Sequence, residues 1–143
     1  MSAPIVLFLC QHNAGRSQLA AALLELDAGD RIDVRSAGTK PADQIGPAVV
    51  ASMRELGVDV SDRVPRSVTV EDLAEADIVV AMRSGLELPA HVQGRFIEWE
   101  FPDPGDWDVE SVRPLREAIS AKLPEIYLAL RMDDGSSQVS SHR

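Results

Sequence analysis

The sequence predicts an α/β protein: a three-layer sandwich in which a four-stranded parallel sheet has helices on both faces. Short apolar runs of strand length alternate along the chain with segments in which apolar residues recur at helical spacing. The first run, residues 5–9, is apolar without interruption, as expected for a strand buried on both faces of a parallel sheet. Such an alternation favours right-handed crossovers, which place helices on both sides of the sheet.

The first half of the chain supplies two strands and two helices. After the strand at residues 5–9, leucines at helical spacing predict a helix that begins at Ser17 and ends at Gly29. Residues 32–35 alternate between apolar and polar side chains and predict the second strand. Residues 47–56 again show helical spacing, and the glycine that follows them marks the expected end of this helix.

The second half supplies two further strands and a long helix. Thr69 and Asp72 have the spacing of a helix N-cap and its reciprocal partner. Apolar runs at residues 77–82 and 95–99 predict the third and fourth strands. Residues 112–130 carry apolar side chains at helical spacing and predict the last helix.

Two prolines and a polar tail mark the end of the chain. Pro114 suits the first turn of the last helix, whereas Pro124 lies inside the pattern and is predicted to kink or split it. Residues 133–143 are polar and of low complexity, which predicts a flexible tail. Residues 1–132 are therefore expected to form a single domain.

Composition and charge exclude several classes of protein. The 143 residues are 45% hydrophobic and 26% charged, and their net charge of −9 argues against binding nucleic acid through its phosphates. No apolar run approaches the ~18 residues of a membrane span, and the amino terminus lacks the features of a signal peptide. A single cysteine forms no internal disulfide and fits a reducing compartment. We therefore expect a cytoplasmic protein with neither nucleic-acid nor membrane partners.

The loop between the first strand and the first helix has the residue types that a tetrahedral oxyanion requires. It reads Cys-Gln-His-Asn-Ala-Gly-Arg-Ser over residues 10–17. The small or conformationally tolerant residues Asn13, Ala14 and Gly15 allow successive N–H groups to turn inward as a nest, and the helix N-terminus that follows also favours negative charge. The candidate oxyanion-binding residues are Gln11, His12, Asn13, Ala14, Gly15 and Arg16.

Cys10 stands at the start of this loop, where the same groups act on its sulfur. N–H donors, an arginine and a helix N-terminus all favour a thiolate over a thiol, so we expect Cys10 to be a nucleophile that faces the central atom of the anion. Arg16 holds two anion oxygens at once, which a lysine does not, and Ser17 donates a hydrogen bond to the sulfur or to a departing thiolate. The alternative is that Cys10 is a structural thiol of the core.

The pattern Cys-x5-Arg-Ser directly after an N-terminal strand resembles that of the low-molecular-weight protein tyrosine phosphatase superfamily. Residues 12–18, His-Asn-Ala-Gly-Arg-Ser-Gln, are most similar to those of the arsenate reductases on that fold. The resemblance continues through residues 36–39, 57–61 and 101–104 and covers nearly the whole chain apart from its tail. It implies the same fold that the alternation of strands and helices predicts.

The resemblance also implies roles for individual residues. Asp103, which precedes a proline after the fourth strand, matches the aspartate that protonates the leaving group in the phosphatases. Asp106 is the nearest alternative for that role, and an ordinary acidic turn is another. Asn13 and Ser36 match residues that brace the loop by hydrogen bonds. The His12 side chain is expected to point to solvent, since such loops bind anions through backbone groups.

The remaining basic and metal-ligating residues point to no cofactor. Arg63, Arg66 and Arg83 lie in a strongly acidic chain and are expected to be solvated or ion-paired, with one of them a candidate to receive an anionic co-substrate. With one cysteine and three histidines no zinc set is recognisable. Neither a metal nor a bound cofactor is therefore predicted.

Two absences narrow the reaction. Aromatic residues make up only 4% of the chain, and Gly105 follows the Asp-Pro pair where the phosphatases usually have an aromatic, so a small open cup for inorganic arsenate is expected. The two further cysteines with which thioredoxin-coupled arsenate reductases form an internal disulfide are also missing. The pattern therefore resembles that of the single-cysteine arsenate–mycothiol transferases.

An enzyme of that type implies a defined set of substrates and partners. Cys10 forms a covalent arsenate ester, a low-molecular-weight thiol (mycothiol or glutathione) takes the arsenic, and a separate redoxin reduces the product to arsenite. Phosphate and sulfate are expected to bind as analogues of arsenate. The first alternative is a phosphatase that acts on phosphotyrosine or a small phosphoester, and the second is an oxyanion-binding or regulatory protein without turnover.

Overall fold

Four parallel strands form the central sheet, in the order β2-β1-β3-β4. The structure is a computed structural model that describes residues 2–102 and 104–132. Asp103 and the predicted tail at residues 133–143 lie outside the described residues. The strands are β1 (Ile5–Cys10), β2 (Asp33–Gly38), β3 (Ile78–Ala81) and β4 (Arg95–Glu98).

Helices lie between β1 and β2, between β2 and β3 and after β4, whereas β3 and β4 follow each other without a helix between them. The helices are α1 (Arg16–Ala28), α2 (Pro47–Arg54), α3 (Val70–Glu75) and α4 (Val109–Leu130), and a short 3-10 turn follows α1 at Gly29–Arg31. The predicted cap of α3 is confirmed, because Thr69 and Asp72 each accept a hydrogen bond from the backbone N–H of the other. In the part of the chain that the structure describes, no helix is both long and apolar enough to cross a membrane.

Alternate residues of β1 point to opposite faces of the sheet. Val6 and Phe8 belong to a larger core that α1, α2 and α4 cover, whereas Leu7 and Leu9 pack on the other face with Leu73 of α3. All of these side chains are fully buried, and each contributes about 1.5–3 kcal/mol of hydrophobic stabilisation. The predicted three-layer α/β sandwich with a parallel sheet is thus confirmed.

The second strand is longer than predicted. β2 continues past residue 35 to Gly38, because residues 36–38 remain paired with residues 8–10 of β1. The sequence pattern fails there because a serine, an alanine and a glycine carry no apolar alternation. Their small side chains instead allow the end of β2 to lie close to the loop that follows β1.

The last helix departs from the prediction at both of its prolines. α4 begins at Val109, where the Asp108 carboxylate accepts a hydrogen bond from the Ser111 N–H, so Pro114 lies beyond the first turn. The helix also continues through Pro124 to its end at Leu130, so of the predicted kink or split the split is wrong. Leu123 and Ile126, which flank Pro124, are buried in the larger core, and this packing offsets the one backbone hydrogen bond that proline lacks.

The carboxyl end of β1 lies at the centre of the sheet, with β2 on one side and β3 on the other. In open parallel sheets a crevice forms at such a point, because the connections from neighbouring strands run to opposite sides. The loop that begins at Cys10 leaves β1 at this position. The topology therefore places the candidate nucleophile at the expected binding crevice.

An ion-pair network around Glu55 joins α2 to α4. Its carboxylate accepts hydrogen bonds from Arg113 and Arg116, and the buried Arg116 also donates to the carbonyl of Ser52. The hydrogen bonds from Arg113 and then Arg116 lower the pKa of Glu55 from 4.5 to about 2. The network fixes the end of α2 against the long helix.

We predict that Glu55→Gln lowers the free energy of unfolding at pH 7 and that this effect shrinks in acid. Because the pKa of Glu55 is depressed in the folded chain, its carboxylate adds stability above about pH 4.5 and loses that contribution as the pH falls towards 2. Urea unfolding at pH 7 and pH 3 measures the effect, with Glu87→Gln at an exposed loop position as the control. An effect as large at pH 3 as at pH 7 would contradict the assignment.

Candidate active site

The loop from Cys10 to Arg16 is held from outside through its carbonyl groups. The carbonyls of four loop residues each accept a hydrogen bond from a backbone N–H in the segment 39–46, which follows β2. The pairs are Cys10 with Thr39 (3.2 Å), Gln11 with Lys40 (2.7 Å), His12 with Ala42 (2.9 Å) and Ala14 with Gly46 (2.9 Å). These bonds turn the loop carbonyls away from the crevice.

Because these loop carbonyls point outward, the N–H groups of the residues that follow them point inward. In a planar trans peptide the C=O of one residue and the N–H of the next point in opposite directions, so the N–H groups of Gln11, His12, Asn13 and Gly15 point into the loop. The Asn13 N–H lies 3.2 Å from the Cys10 Sγ and donates to it, as expected of an inward-pointing N–H. The loop is therefore an anion nest that opens onto the N-terminus of α1.

Two glycines permit the close approach of the 39–46 segment. A Cβ atom on Gly38 would lie 2.7 Å from the carbonyl oxygen of Gln11, and one on Gly46 would lie 2.9 Å from that of Ala14. Both contacts are with backbone atoms that have no freedom to move aside. Only glycine at these two positions allows the clamp on the loop carbonyls.

Asn13 is the residue that closes the loop. It is fully buried and adopts a left-handed backbone conformation, with φ of 52°, which asparagine tolerates better than most residues. Its Oδ1 accepts a hydrogen bond from the backbone N–H of Arg66 at 3.0 Å. A backbone N–H is always a donor, so this contact fixes the orientation of the carboxamide and directs its Nδ2 to Ser17, 2.8 Å away.

Ser17 connects the Asn13 carboxamide to the candidate nucleophile. Its Oγ accepts a hydrogen bond from the Asn13 Nδ2 and lies 2.8 Å from the Cys10 Sγ, a contact in which either atom can be the donor. A thiolate has no proton to donate, so in the anionic form the sulfur accepts from the Ser17 hydroxyl as well as from the Asn13 N–H. Donors aimed at sulfur stabilise the anionic form, as a nucleophilic thiolate needs.

Arg66 supports the loop by donating its backbone N–H to Asn13, a role that its position in the sequence does not indicate. Its guanidinium makes two hydrogen bonds, of 2.9 and 3.0 Å, to the carboxylate of Asp72 at the start of α3. Burial raises the pKa of Asp72, but the Arg66 guanidinium and the Thr69 N–H and hydroxyl together lower it below its usual value. The ion pair holds the backbone of Arg66 where it meets Asn13.

The predicted brace between Asn13 and Ser36 is replaced by other contacts. The Asn13 side chain bonds to Ser17, to the N–H of Arg66 and, at 3.4 Å, to the Gln18 amide. Ser36 lies on β2 and lines a separate groove with Gln18 and Arg66. The resemblance identified the correct region of the fold, but the backbone of Arg66 occupies the position that Ser36 was expected to fill.

A cavity of about 420 Å³ opens above the loop. Its lining residues come from the loop, from the start of α2, from the end of β3 and from the segment before α4. They are Cys10, Gln11, His12, Ala14, Gly15, Arg16, Gly46, Pro47, Ala48, Arg83 and Trp107. Cys10 is only 6% exposed, so its sulfur lies on the floor of the cavity.

Trp107 forms a wall that the sequence analysis missed. Its ring lies 5.9 Å from the Arg16 guanidinium carbon, a cation–π distance, and packs so tightly on Gly15 that an added Cβ there would be 2.8 Å from it. The expectation of a small cup without aromatic walls is therefore wrong. Trp107 stands three residues beyond Pro104, and only the folded chain brings it to the loop.

The other predicted site residues occupy different positions. The His12 side chain is exposed, and its Nδ1 lies 3.1 Å from the carbonyl oxygen of Lys40. Asp106 is exposed, and Asp103, the first candidate for the acid, lies outside the described residues. Within residues 2–102 and 104–132, no group of three or more His, Cys, Asp or Glu side chains is arranged to hold a metal.

The three arginines of the sequence analysis separate into two groups. Arg63 forms an ion pair with Glu25, at 2.5 Å, and Arg66 pairs with Asp72. Arg83 instead lines the cavity, and its Nη1 lies 3.3 Å from the side-chain oxygen of Gln11. Of the three, only Arg83 is placed beside the loop opening.

The sequence matches that of a known family over most of its length, namely the low molecular weight phosphotyrosine protein phosphatases, over residues 5–135. It is 37% identical over 134 residues to a candidate arsenate reductase of Halobacterium salinarum, a match that covers 89% of this chain and 93% of that protein.

Solved structures of arsenate reductases share the fold. A thioredoxin-dependent arsenate reductase of Corynebacterium glutamicum is 34% identical, with a TM-score of 0.75 over 92% of this chain. The match covers 63% of that protein, so this chain spans less than two thirds of its length. An arsenate reductase in a phosphate-binding state is 25% identical, with a TM-score of 0.74 over 91% of this chain and 99% of that one.

We predict that Asn13→Ala lowers the free energy of unfolding by about 2 kcal/mol, since it leaves buried polar groups unsatisfied and places alanine in left-handed backbone, which alanine tolerates less well than asparagine. Asn13→Gly is the matched control, because it removes the same hydrogen bonds but relieves the backbone strain. Urea unfolding of the two variants separates the contributions, with the glycine variant expected to lie between alanine and wild type. Wild-type stability of Asn13→Ala, which loses the hydrogen bonds without any relief of strain, would contradict their contribution.

Proposed function

The chain belongs to the low molecular weight phosphotyrosine protein phosphatase family, and from this membership we propose that it is an arsenate reductase of the thiol-transferase type. The surroundings of Cys10 carry the proposal: a sulfur on the floor of a cavity, with inward N–H groups around it and Arg16 beside it. Such a site suits attack by a thiolate on the central atom of a tetrahedral oxyanion. The arsenate reductases among its relatives favour arsenate as that anion.

The first step exchanges one arsenic–oxygen bond for an arsenic–sulfur bond. The Cys10 thiolate attacks arsenate, and an arsenate hydroxyl takes up one proton and leaves as water. Arg16 and the inward N–H groups balance the charge on the remaining three oxygens. The family resemblance assigns the proton donor to Asp103. Arsenic remains As(V), and Cys10 is held as a covalent ester.

The second step returns Cys10 to its starting state. A low-molecular-weight thiolate, mycothiol or glutathione, attacks arsenic, forms a new arsenic–sulfur bond and expels the Cys10 thiolate. A redoxin thiolate then attacks the sulfur of that adduct, so that the two thiols become a disulfide and arsenite, As(III), leaves with the electron pair. The two electrons come from the two external thiols, and Cys10 stays a nucleophile throughout.

The cysteine count supports an external thiol. One C. glutamicum relative is thioredoxin-dependent, but the 143 residues of this chain contain a single cysteine. No disulfide forms within these residues, so a second thiol must resolve the arsenic–sulfur bond. Mycothiol and glutathione are the two candidates for this second thiol.

Trp107 favours a second candidate function, a phosphatase. An aromatic wall beside Arg16 suits the ring of an aryl phosphate. The chemistry begins in the same way, with thiolate attack on a tetrahedral centre, but the second step needs only water. The two functions therefore differ in whether turnover depends on a thiol.

One comparison separates these functions. Purified protein is incubated with arsenate and a redoxin system, with mycothiol, with glutathione or without either, and in parallel with an aryl phosphate. We expect arsenite only when a thiol is present. Fast release of phosphate from the aryl ester, with no arsenite under any condition, would replace the reductase by the phosphatase. No turnover in either assay, with tight anion binding, would favour an oxyanion-binding protein.

We predict that Cys10→Ser abolishes arsenite formation but preserves anion binding. A serine hydroxyl keeps the shape of the cavity but is far less nucleophilic than a thiolate, and the N–H groups that bind the anion belong to the backbone. Calorimetric titration with phosphate measures binding, and an arsenite assay measures turnover. Retained turnover in Cys10→Ser would disprove the role of Cys10 as nucleophile.

A further inference from the structure

The cavity is larger than the anion nest at its base. Its volume of about 420 Å³ is several times that of a tetrahedral oxyanion. Its lining includes the apolar side chains of Pro47, Ala48 and Trp107 and the polar side chains of Arg83 and Gln11. The cavity therefore offers apolar surface together with a positive charge and an amide.

The sheet places Arg83 beside the loop. Ala81 is the register partner of Leu9 across the parallel pair β1 and β3, so two residues further on Arg83 is level with Gln11. Its Nη1 donates to the Gln11 Oε1, and its Nε donates to the carbonyl of Ser84, both at 3.3 Å. These bonds use the Nε and Nη1 donors, and the Nη2 donors, which make no hydrogen bond within the described residues, are left for a ligand.

The charge of Arg83 has no carboxylate partner within 4.0 Å among the described residues. Arg95 and Arg131 also lack such a partner, but of these three arginines Arg83 alone lines the cavity. Ion pairs to carboxylates are made by Arg35, Arg54, Arg63, Arg66, Arg113 and Arg116. Gln11 and the Ser84 carbonyl orient Arg83 without neutralising it, as an anion-binding group requires.

The proposed reaction brings a second reactant to this part of the cavity. In-line displacement of the Cys10 thiolate requires the incoming thiolate to approach arsenic from the side opposite Sγ. Since Sγ lies on the cavity floor, that side is the opening. The body of the thiol then lies within reach of the apolar lining residues and of Arg83.

We infer that Arg83, oriented by Gln11, binds a carboxylate of the co-substrate thiol, and that the enzyme therefore prefers carboxylate-bearing thiols such as glutathione to uncharged ones such as mycothiol. This inference rests on the proposed thiol-transfer function and specifies its co-substrate. Arg83 is exposed, and exposed ion pairs are weak. The expected effect of removing its charge is therefore a KM for glutathione that rises about fivefold.

The kinetic test uses Arg83→Gln with Arg95→Gln as the control, an exposed arginine on β4 that does not line the cavity. Arsenite formation is followed against glutathione and against mycothiol. Arg83→Gln is expected to raise the KM for glutathione with little change in kcat and no change in the KM for mycothiol, and Arg95→Gln is expected to change neither. An unchanged KM for glutathione in Arg83→Gln would overturn the inference.

A binding test is independent of turnover. S-methylglutathione, which cannot react, and its dimethyl ester, which lacks carboxylates, are titrated calorimetrically into phosphate-saturated protein. Wild type is expected to bind S-methylglutathione about fivefold more tightly than the ester, and Arg83→Gln is expected to bind the two equally. Equal binding of both by wild type would overturn the carboxylate site, whereas a wild type that forms no arsenite with any thiol would overturn the proposed function and leave the binding result to stand.

Discussion

The candidate site depends on one constraint on the backbone: consecutive N–H groups of the loop after β1 must all point to the same side. In a strand, successive peptides alternate in direction, so the loop has to leave extended geometry at once. Asn13 makes this possible with its positive φ, and its buried side chain secures the turn. Every carbonyl that is turned outward then needs its own donor, because unsatisfied backbone groups are costly when buried.

Those donors and anchors come from parts of the chain far from the loop. The segment 39–46 supplies the N–H groups that hold the carbonyls, and Gly38 and Gly46 let it approach. Arg66, fixed by its ion pair with Asp72 at the start of α3, supplies the donor for Asn13. The reactive loop is thus local in sequence, but its shape is maintained by tertiary structure, and the sheet order brings these elements together.

This contrast between local sequence and tertiary contacts explains which features of the fold and the site could be predicted from the sequence. The fold class and the loop follow from patterns within single segments: apolar periodicity, and a cysteine, small residues and an arginine between a strand and a helix. The parts that escaped prediction depend on contacts across the fold. Trp107 reaches the cavity from the segment before α4, Arg66 acts through its backbone, and the core packing around Pro124 outweighs the preference of proline to end a helix.

The two tryptophans of the chain differ in their surroundings. Trp99 is 2% exposed and packs between the rings of Phe8 and Phe101, whereas Trp107 is 39% exposed and lies against Arg16 at the anion nest. A ligand that moves the Arg16 guanidinium changes the electric field on the Trp107 indole. The environment of the buried Trp99 indole does not change. The emission of Trp107 is therefore expected to change when the binding crevice is occupied, while that of Trp99 stays constant.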